Sequence, residues 1–488
     1  MEDFIEDPTE TSAQILYNFI INENKGKVVH KKGKKKKDSK TFLGIESPTP
    51  IQDLHLLDLK IAAKYEEDRL YLNNDNIYKY LRRGDCLTYN TKTGQKGIGR
   101  IGLIKFFDYR KHYSHDLKRE ENRVLGNVKE SKLPLSVYLT EKANGENFQV
   151  SFNTTYDCWI IGSKTVTIAC KDEKDIEFYK NENNLKRKNF TPLIQEFMSE
   201  KNLEMGRYEY VLDFAKTWFA LLKKLFKTKE DLEEFKKVIA NHSFIGESVG
   251  DKTHQHIKIY EERDIIFYGI VNHLTYDSEI CLPLSQSFEI FKKFGFTSVP
   301  IERSENFKNF QELKAYLDKK YNEILLKSIK ESGEGNVIYI VENGETNTEK
   351  IISLAKLKTF EYRFFRKIRE KIKILLERYR KHPKNLSLGD LKATLRKESE
   401  ELAENYQKEV NLENCIKFSD FVFNYVINYD NQNNYFDVFA EFIHTLKFCF
   451  DQIEEKKVKE EKIDMDEEYK KIKEDWNKKF IEIQKLNK

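Results

Sequence analysis

The sequence contains little proline and glycine and no long apolar run. Its 488 residues include 8 Pro and 20 Gly, which excludes a collagen-like or low-complexity chain. Apolar runs stay shorter than the about 18 residues of a membrane-spanning helix, so no such helix is predicted. The 6 cysteines form no Cys-x-x-Cys pair, which disfavours a zinc site or a disulfide framework and favours a reducing compartment. The N-terminus is acidic and lacks an apolar signal core, so we expect an intracellular protein, in nucleus or cytoplasm.

Aromatic residues and charges of both signs are abundant. The 34 Phe, 26 Tyr and 3 Trp supply enough apolar surface for a packed core, which excludes global disorder. The 85 basic and 81 acidic residues leave a net charge of only +4, so the overall charge does not indicate a nucleic-acid partner. Any such partner must be indicated by local clusters of charge.

Two local clusters are basic. Residues 31–37 are rich in lysine and have no apolar periodicity, which fits a solvated loop, a nuclear-import signal or a nucleic-acid-binding arm. Residues 356–381 hold 11 basic and 3 acidic residues with aromatic residues between them. A basic strip with aromatics suits phosphate contact and base stacking, although a solvated helix face would have the same composition.

The spacing of apolar residues predicts an α+β fold. Apolar runs, some alternating with period two, predict strands between about 85 and 170 and again from 243 to 271. Phe214, Trp218 and Leu222 recur at steps of four, which predicts helices that pack on a core. The spacing is helical after residue 358. We therefore expect a lead with the basic tract at 1–94, weakly structured over 1–60, a mixed domain at 95–360 with a helical insertion at about 171–240, and an α-helical domain at 361–488.

Four short motifs follow one another in a fixed order, each beside a predicted strand. Each motif alone is weak, because Lys, Glu and Gly are common and a single carboxylate or lysine is usually a surface residue. As an ordered set they are specific. The motifs are Lys142-x-x-Gly145, Gly246-Glu247, Glu334-Gly335 and Lys356-x-Lys358.

This series resembles the covalent nucleotidyltransferase superfamily of RNA ligases, DNA ligases and mRNA capping enzymes, and most of all its ATP-dependent RNA ligases of the phage, RNA-editing and tRNA types. Residues 141–148 match the form Glu-Lys-x-x-Gly-x-Asn-Phe of RNA-editing ligases. Upstream, Arg100 and residues 105–109 are similar to the Arg…Lys-Phe-Phe-Asn stretch of other RNA ligases. The resemblance covers about 95–360. It implies an ATP-grasp-like ligase domain of antiparallel sheets with a nucleotide cleft.

The resemblance implies that Lys142 is a nucleophile that forms a bond to the α-phosphate of ATP. Only a neutral amine can attack, so we expect burial and nearby cations to lower a pKa that is ordinarily about 10.4. Lys356 and Lys358 would hold the α-phosphate, while Glu334 and Glu247 would bind Mg²⁺ or Mn²⁺. The other implied nucleotide-binding residues are Glu141 as acceptor from the adenine amino group, Asn144, Gly145, Arg100, Lys164 and the ribose-binding Glu247.

The residue that stacks on adenine stays open between Tyr268 and Phe267. The family places an aromatic on the strand after Gly-Glu, commonly as Phe before Asp, whereas this chain has Ile270 before Val271. His254 and His256 lie on one face of a predicted strand, but no further ligand points to a metal there.

The implied activity is the ATP-dependent joining of RNA 5′-phosphate and 3′-hydroxyl ends, as in RNA repair or tRNA splicing. The basic strip would then bind RNA through Arg363, Arg366, Lys367 and Arg369. The alternatives are a capping guanylyltransferase or a DNA ligase, disfavoured because the C-terminus is helical rather than an OB-fold, and a nucleic-acid-binding protein that has lost its chemistry. No membrane partner is expected, and the oligomeric state and the type of RNA end stay open.

Overall fold

The computed structural model describes most of the chain. The described residues are 9–24, 30–31, 34–35, 42–61, 67–110, 117–131, 134–181, 208–250, 260, 262–344, 349–381, 387–404, 411–429, 440–459 and 463–486. None of the helices in these ranges combines the length and apolar character needed to cross a membrane.

Helices and strands both occur along the described chain, which confirms a mixed fold. A 3-10 helix spans Glu173–Lys180. The α-helices are α1 (Glu10–Asn24), α2 (Glu67–Asn73), α3 (Asp75–Tyr80), α4 (Leu117–Glu130), α5 (Glu209–Leu225), α6 (Lys229–Ile239), α7 (Leu284–Phe294), α8 (Phe310–Leu325), α9 (Ile329–Ser332), α10 (Phe360–Lys381), α11 (Leu388–Glu404), α12 (Leu412–Tyr429), α13 (Ala440–Val458) and α14 (Met465–Leu486).

Three sheets of four or five strands form the centre of the fold, and their pairs are antiparallel except for β16 with β7. Two short strands, β1 (His30–Lys31) and β2 (Lys34–Lys35), pair separately. Sheet A has the order β3 (Phe42–Pro48), β4 (Leu54–Ile61), β5 (Cys86–Asn90), β6 (Lys96–Arg100). Sheet B has the order β11 (Thr167–Cys170), β10 (Cys158–Gly162), β9 (Glu146–Asn153), β12 (His242–Val249), β13 (Asp264–Asn272). Sheet C has the order β14 (Ile301–Phe307), β8 (Leu135–Glu141), β15 (Gly335–Asn343), β16 (Glu349–Lys358), β7 (Phe107–Asp108).

Helices α5, α6 and α7 cover one face of sheet B with an aromatic core. Trp218 on α5 is fully buried and its ring lies 6.0 Å from that of Phe148 and 5.3 Å from that of Trp159. Phe235 on α6 stacks on Trp159 at 5.9 Å and also lies 6.1 Å from the Trp218 ring. The described parts of 171–240 contain the predicted helices, and their apolar stripe is core; that these residues form an insertion stays a prediction. Because these helices cover one face of sheet B, the opposite face of the sheet is the one available for a site.

The first hundred residues are more ordered than expected. Strands β3 and β4 lie within the segment predicted to be weakly structured, and α1 packs beside β6. The pattern was missed because Leu54–Ile61 is mostly buried rather than alternating between apolar and polar positions. A boundary at 94 would also divide the paired strands β5 and β6, so the N-terminal segment continues to at least Arg100.

The described residues after β16 form the five helices α10–α14, as the helical spacing predicted. Their buried aromatics pack together: the rings of Phe365 and Phe418 lie 5.5 Å apart, and Phe418 also contacts Phe450. These residues belong to the same continuous core as the strands of sheet C. Treating 361–488 as a separate domain stays a prediction.

Candidate active site

The predicted nucleophile lies in a turn that joins sheet C to sheet B. Strand β8 ends at Glu141 and β9 begins at Glu146, so residues 142–145 cross from one sheet to the other. The Lys142 backbone N–H donates to the Gly335 carbonyl oxygen at 2.8 Å. The Asn144 backbone N–H donates to the Tyr260 hydroxyl oxygen at 3.0 Å. The turn is thus fixed on both sides.

Glycine is required in this turn because another backbone passes close to it. A Cβ atom on Gly145 would lie 2.2 Å from the Ser248 carbonyl oxygen at the end of β12. Any side chain would therefore push β12 away from the nucleophile turn. Gly145 also lines the cavity described below.

Sheet C brings together residues that are far apart in the sequence. In the antiparallel register Glu141 pairs with Asn336, and Gly335 pairs with Lys358. The start of β15 therefore lies between the ends of β8 and β16. This placement sets the Glu334 carboxylate between two lysines, Lys142 and Lys358, at Nζ–O distances of 2.8 and 3.0 Å.

Glu334 is almost completely buried and makes three polar contacts through its carboxylate. Lys142 Nζ and Asn144 Nδ2 donate to Oε2, the latter at 2.9 Å, and Lys358 Nζ pairs with Oε1. Gly335, the next residue, has φ +127°, and a Cβ atom there would lie 2.0 Å from the Leu357 carbonyl oxygen. The Glu-Gly motif is therefore a carboxylate followed by a backbone conformation that side chains rarely adopt.

A cavity of about 370 Å³ lies beside this cluster, with walls from sheets B and C. The ends of the sheet C strands contribute Lys142, Glu334 and both lysines of the last motif. Sheet B contributes Glu247, Tyr268 and the hairpin lysine Lys164. The remaining lining residues are Arg83, Leu103, Ile104, Lys105, Phe106, Gly145, Glu146, Asn147, Gln149, Ile245, Tyr362 and Arg366.

The pKa of Lys142 is raised, not lowered as expected. Burial alone lowers the pKa of Lys142, but the carboxylates of Glu334 and Glu247 outweigh burial and keep its pKa above the ordinary value. Burial likewise raises the pKa of Glu334, but Lys142 and Lys358 outweigh it, and the pKa of Glu334 falls below its usual range. The sequence correctly indicated cations near Lys142. It did not indicate that a carboxylate would contact the Lys142 amine. The two carboxylates therefore favour the protonated form of the Lys142 amine.

Lys356 and Lys164 form no close ion pair among the described residues, although Asp108 acts on Lys356, and Glu247 and Glu146 act on Lys164, from a greater distance. In the described part of the chain, no carboxylate lies within 4.0 Å of either ammonium group. Burial lowers the pKa of Lys356 well below its usual value, and Lys358 and Lys105 add to this. Burial and the nearby Arg83 lower the pKa of Lys164. Such desolvated cations gain most when an anion such as phosphate arrives.

Glu247 and Glu334 could together contribute oxygen ligands to a divalent cation. Burial raises the pKa of Glu247 to about 8, so a cation would relieve an unfavourable carboxylate site. The described residues contain no cluster of three or more His, Cys, Asp or Glu with metal-binding geometry. Two carboxylates are sufficient for a Mg²⁺ ion that also binds substrate phosphates, because Mg²⁺ keeps several water ligands and takes only one or two carboxylates from the protein.

The two candidate stacking residues lie on opposite faces of sheet B. Phe267 is fully buried in the aromatic core, with ring distances of 5.4 Å to Phe291 and 5.3 Å to Phe296, so it does not face the cavity. Tyr268 lines the cavity, and its hydroxyl accepts a hydrogen bond from Asn147 Nδ2 at 2.9 Å. Of these two candidates, Tyr268 is the one that could stack on a base in the cavity.

Arg100 is a structural residue rather than a cavity residue. It is fully buried, and its guanidinium donates to the Ser163 carbonyl and to Thr167 Oγ1 at 2.8 and 2.9 Å. A Cβ atom on Gly162 would lie 2.8 Å from its guanidinium, which shows how closely it packs on β10. The cavity arginine from this part of the chain is Arg83, which the sequence did not single out because no motif marks it.

The remaining predicted nucleotide residues lie at the edge of the site. Glu141 is half-buried at the end of β8, and Asn144 is buried and bound to Glu334. Gln149 and Tyr362 line the cavity and were missed, because neither differs in type from an ordinary strand or helix residue.

A groove of about 470 Å³ continues from the cavity along α10; we call it the α10 groove. Arg363, Arg366 and Lys367, three of the predicted RNA-binding residues, line it, while Arg369 is a partly exposed residue further along α10. Arg366 also lines the cavity. The groove residues are Asp68, residues 105–108, Lys356, Lys358, Tyr362, Arg363, Arg366, Lys367 and Glu370.

Two predicted features lie outside the described residues. These are His254 and His256, and most of the basic tract at 31–37, of which Lys31, Lys34 and Lys35 form the short strands β1 and β2.

Comparisons with known proteins find similarity among solved structures. No family model and no curated protein sequence matches the chain. The similar structures are ATP-dependent RNA and DNA ligases. An archaeal ATP-dependent RNA ligase is 10% identical, with TM-score 0.39 over 78% of this chain and 75% of that one. A putative ATP-dependent DNA ligase from Aquifex aeolicus is 13% identical, with TM-score 0.37 over 80% and 78%. A Naegleria gruberi RNA ligase with PPi is 11% identical, with TM-score 0.29 over 66% and 96%. Because every one of these TM-scores is below 0.5, function must be inferred from the cavity residues.

Proposed function

We propose that the chain is an ATP-dependent RNA ligase that joins 5′-phosphate and 3′-hydroxyl ends through a Lys142–AMP intermediate. The observation that carries this proposal is the cluster of Lys142, Glu334 and Lys358 at one cavity with Lys356 and Lys164. Four sequence motifs separated by up to about half the chain meet there. Carboxylates and lysines that served only as surface residues would be exposed rather than buried together.

In the first step, the Lys142 Nζ lone pair forms a bond to the α-phosphorus of ATP, and the bond from that phosphorus to the pyrophosphate oxygen breaks. The amine must first lose to water the proton that Glu334 stabilises, and it loses a second proton to water as the N–P bond forms. Phosphates that draw Lys358 away from Glu334 and a cation that occupies its carboxylate would weaken this stabilisation. Lys356 and Lys164 would balance the charge on the phosphates.

Residues on the cavity wall and at its edge would recognise the nucleotide. Tyr268 would stack on adenine, and Glu141 would accept a hydrogen bond from the amino group that guanine lacks at that position. Glu247 and Glu334 would hold Mg²⁺ or Mn²⁺, which would neutralise phosphate charge.

In the later steps, AMP passes from Lys142 to the RNA 5′-phosphate, and the RNA 3′-hydroxyl then displaces AMP. Both steps need the RNA ends at the cavity while a strand extends away from it. The α10 groove opens from the cavity and carries six basic residues, which favours this route.

A labelling experiment tests the proposal. The protein is incubated with [α-³²P]ATP or [α-³²P]GTP and a divalent cation, then run on a denaturing gel. We expect label from ATP in the wild type and in Lys350→Ala, whose exposed side chain lies on β16, and none in Lys142→Ala or Lys142→Arg. Label in the Lys142 variants would move the nucleophile elsewhere. Label from GTP alone would indicate a guanylyltransferase, and no label at all a nucleic-acid-binding protein without chemistry.

A further inference from the structure

We propose that the α10 groove selects RNA whose 5′-phosphate end is unpaired, and that Phe106 stacks on the first base of that strand. This inference rests on the proposed function, because it concerns the strand that would receive AMP. It assigns a substrate class and a specificity-determining residue.

The groove and the cavity are continuous. Six residues line both: Lys105, Phe106, Lys356, Lys358, Tyr362 and Arg366. A 5′-phosphate held at the two lysines of β16 would therefore lie at this junction, and the strand attached to it would leave along α10. The first base would be beside Phe106.

The adjacent residues Phe106 and Phe107 have different environments. Phe107 is 4% exposed and packs against Tyr78, with ring centroids 6.4 Å apart, so it is core. Phe106 is half-buried on the wall shared by groove and cavity, with Lys356 Nζ 4.9 Å from its ring centroid. An aromatic ring beside a phosphate-binding lysine, at the mouth of a nucleotide cavity, is suited to stack on a base.

The groove has room for one strand. Its volume of about 470 Å³ lies in the lower half of the range of small-ligand sites, about 300–1,000 Å³, which is enough for one nucleotide. Helix α2 closes one side through Asp68, whose carboxylate lies 2.6 Å from Lys105 Nζ, and α10 closes the other. A base can stack on Phe106 inside these walls only after it has left its partner.

The charges in the groove are partly paired with exchangeable carboxylates. Arg366 pairs with the exposed Glu370 at 2.9 Å, and Lys105 pairs with the half-exposed Asp68. Lys356 faces no carboxylate within 4.0 Å among the described residues. Phosphates could therefore replace Asp68 and Glu370 without leaving a buried charge unpaired.

Binding of 3′-blocked, 5′-phosphorylated RNA, measured by fluorescence anisotropy without ATP, tests the inference. We expect the wild type to bind a single strand more tightly than a nicked duplex. Phe106→Leu should weaken single-strand binding by about tenfold to hundredfold, the factor that corresponds to one stacked base. Phe106→Tyr, which keeps the ring, should bind as the wild type does. The matched control is Phe310→Leu, a half-buried phenylalanine outside the groove that also has a lysine over its ring, Lys129 at 5.6 Å.

Two results would overturn the inference: equal single-strand affinity for Phe106→Leu and the wild type, or equal wild-type affinity for the nicked duplex. Labelling with [α-³²P]ATP is measured in parallel. A raised KM for ATP in Phe106→Leu with unchanged RNA binding would place Phe106 at the nucleotide instead. Absence of labelling in the wild type would reject the proposed ligase activity, while the RNA measurements still report on the groove.

A crosslinking measurement on the wild type removes the dependence on folding of the variants. RNA with 5-iodouracil as its first base is irradiated in the complex, and the crosslinked peptide is identified by mass spectrometry. We expect the crosslink at Phe106. A crosslink to a peptide outside the groove would refute the stacking assignment.

Discussion

A single carboxylate organises the candidate active site at the scale of residues. Glu334 contacts Lys142, Asn144 and Lys358, so the proposed nucleophile Lys142 is held by the same group that would bind a divalent cation. Lys356, two residues from Lys358 on β16, is instead left for the phosphates. Before substrate binds, Lys358 is therefore paired with Glu334 whereas Lys356 is not, although both lysines would act on the substrate.

Removal of either motif lysine should slow adenylylation of Lys142. We expect Lys356→Ala or Lys358→Ala to lower the rate by about 10²–10³, the loss typical of one preorganised electrostatic contact. The measurement is single-turnover labelling with [α-³²P]ATP, with Lys350→Ala on the same strand as control. Wild-type rates in both variants would contradict the assignment of this motif.

A buried histidine next to sheet B should make stability depend on pH. His273 Nε2 lies 2.8 Å from Ser243 Oγ, which also accepts from the Ile101 backbone N–H. Burial, with a smaller effect of His242, lowers the pKa of His273 to about 3. The unfolded chain then binds more protons than the folded chain between about pH 6.5 and 3.

The free energy of unfolding should therefore fall as the pH is lowered through this window. Urea unfolding at pH 7 and pH 5 measures the change, and we expect a smaller decrease in His273→Gln than in the wild type. An equal decrease would show that other groups cause the acid sensitivity.

At the scale of elements, glycines with different surroundings should respond in opposite ways. Gly335 begins β15 with φ +127° and its Cβ position overlaps the Leu357 carbonyl, whereas Gly126 lies within α4 with no atom within 4 Å of its Cβ position. Gly335→Ala should destabilise the fold by more than about 1 kcal/mol and displace Glu334. Gly126→Ala should stabilise it by about 0.5–1 kcal/mol, because alanine favours helix. Denaturant unfolding and labelling of both variants check this, and an inactive Gly126→Ala would contradict it.

Helix α10 should divide its basic residues between two steps of ligation. Arg366 lines both cavity and groove, so Arg366→Glu should reduce adenylylation as well as RNA binding. Lys367 lines only the groove and pairs with Glu398 at 3.0 Å, so Lys367→Glu should leave adenylylation near normal.

The loss of one phosphate contact in Lys367→Glu should flatten the salt dependence of single-stranded RNA binding by about 0.7 in slope. Lys397→Glu on α11, whose side chain is 76% exposed, is the control. Equal slopes in wild type and Lys367→Glu would place the RNA elsewhere.

At the scale of the whole molecule, the sequence predicted the cavity better than its electrostatics. The resemblance carried by the four ordered motifs implied that Lys142, Glu247, Glu334 and the two final lysines share one site, and the structure brings these five residues to one cavity although Glu247 comes from a different sheet. Arg100 was misassigned because a short-range pattern cannot distinguish a cavity cation from one buried behind the sheet. The raised pKa of Lys142 depends on a tertiary contact with Glu334, almost two hundred residues away.

The N-terminal sheet was the main omission in the fold. Strand β4 is buried along most of its length, so it lacks the alternation that marks a half-exposed strand. Arg83 lies in the segment between β4 and β5 and reaches the cavity only because sheet A packs beside sheet B. Its position depends on the packing of sheets, which local patterns do not encode.

Sheet C also determines when the protein can fold during its synthesis. Strand β8 has six buried residues and pairs with β14 and β15, yet β15 emerges from the ribosome nearly two hundred residues later. At about 5–20 residues per second, translation leaves this apolar strand without β15 for roughly 10–40 s. The nascent chain therefore carries a hydrophobic strand that lacks one neighbour for roughly two-fifths of its synthesis, and we expect that interval to influence how much of the protein aggregates when it is made quickly.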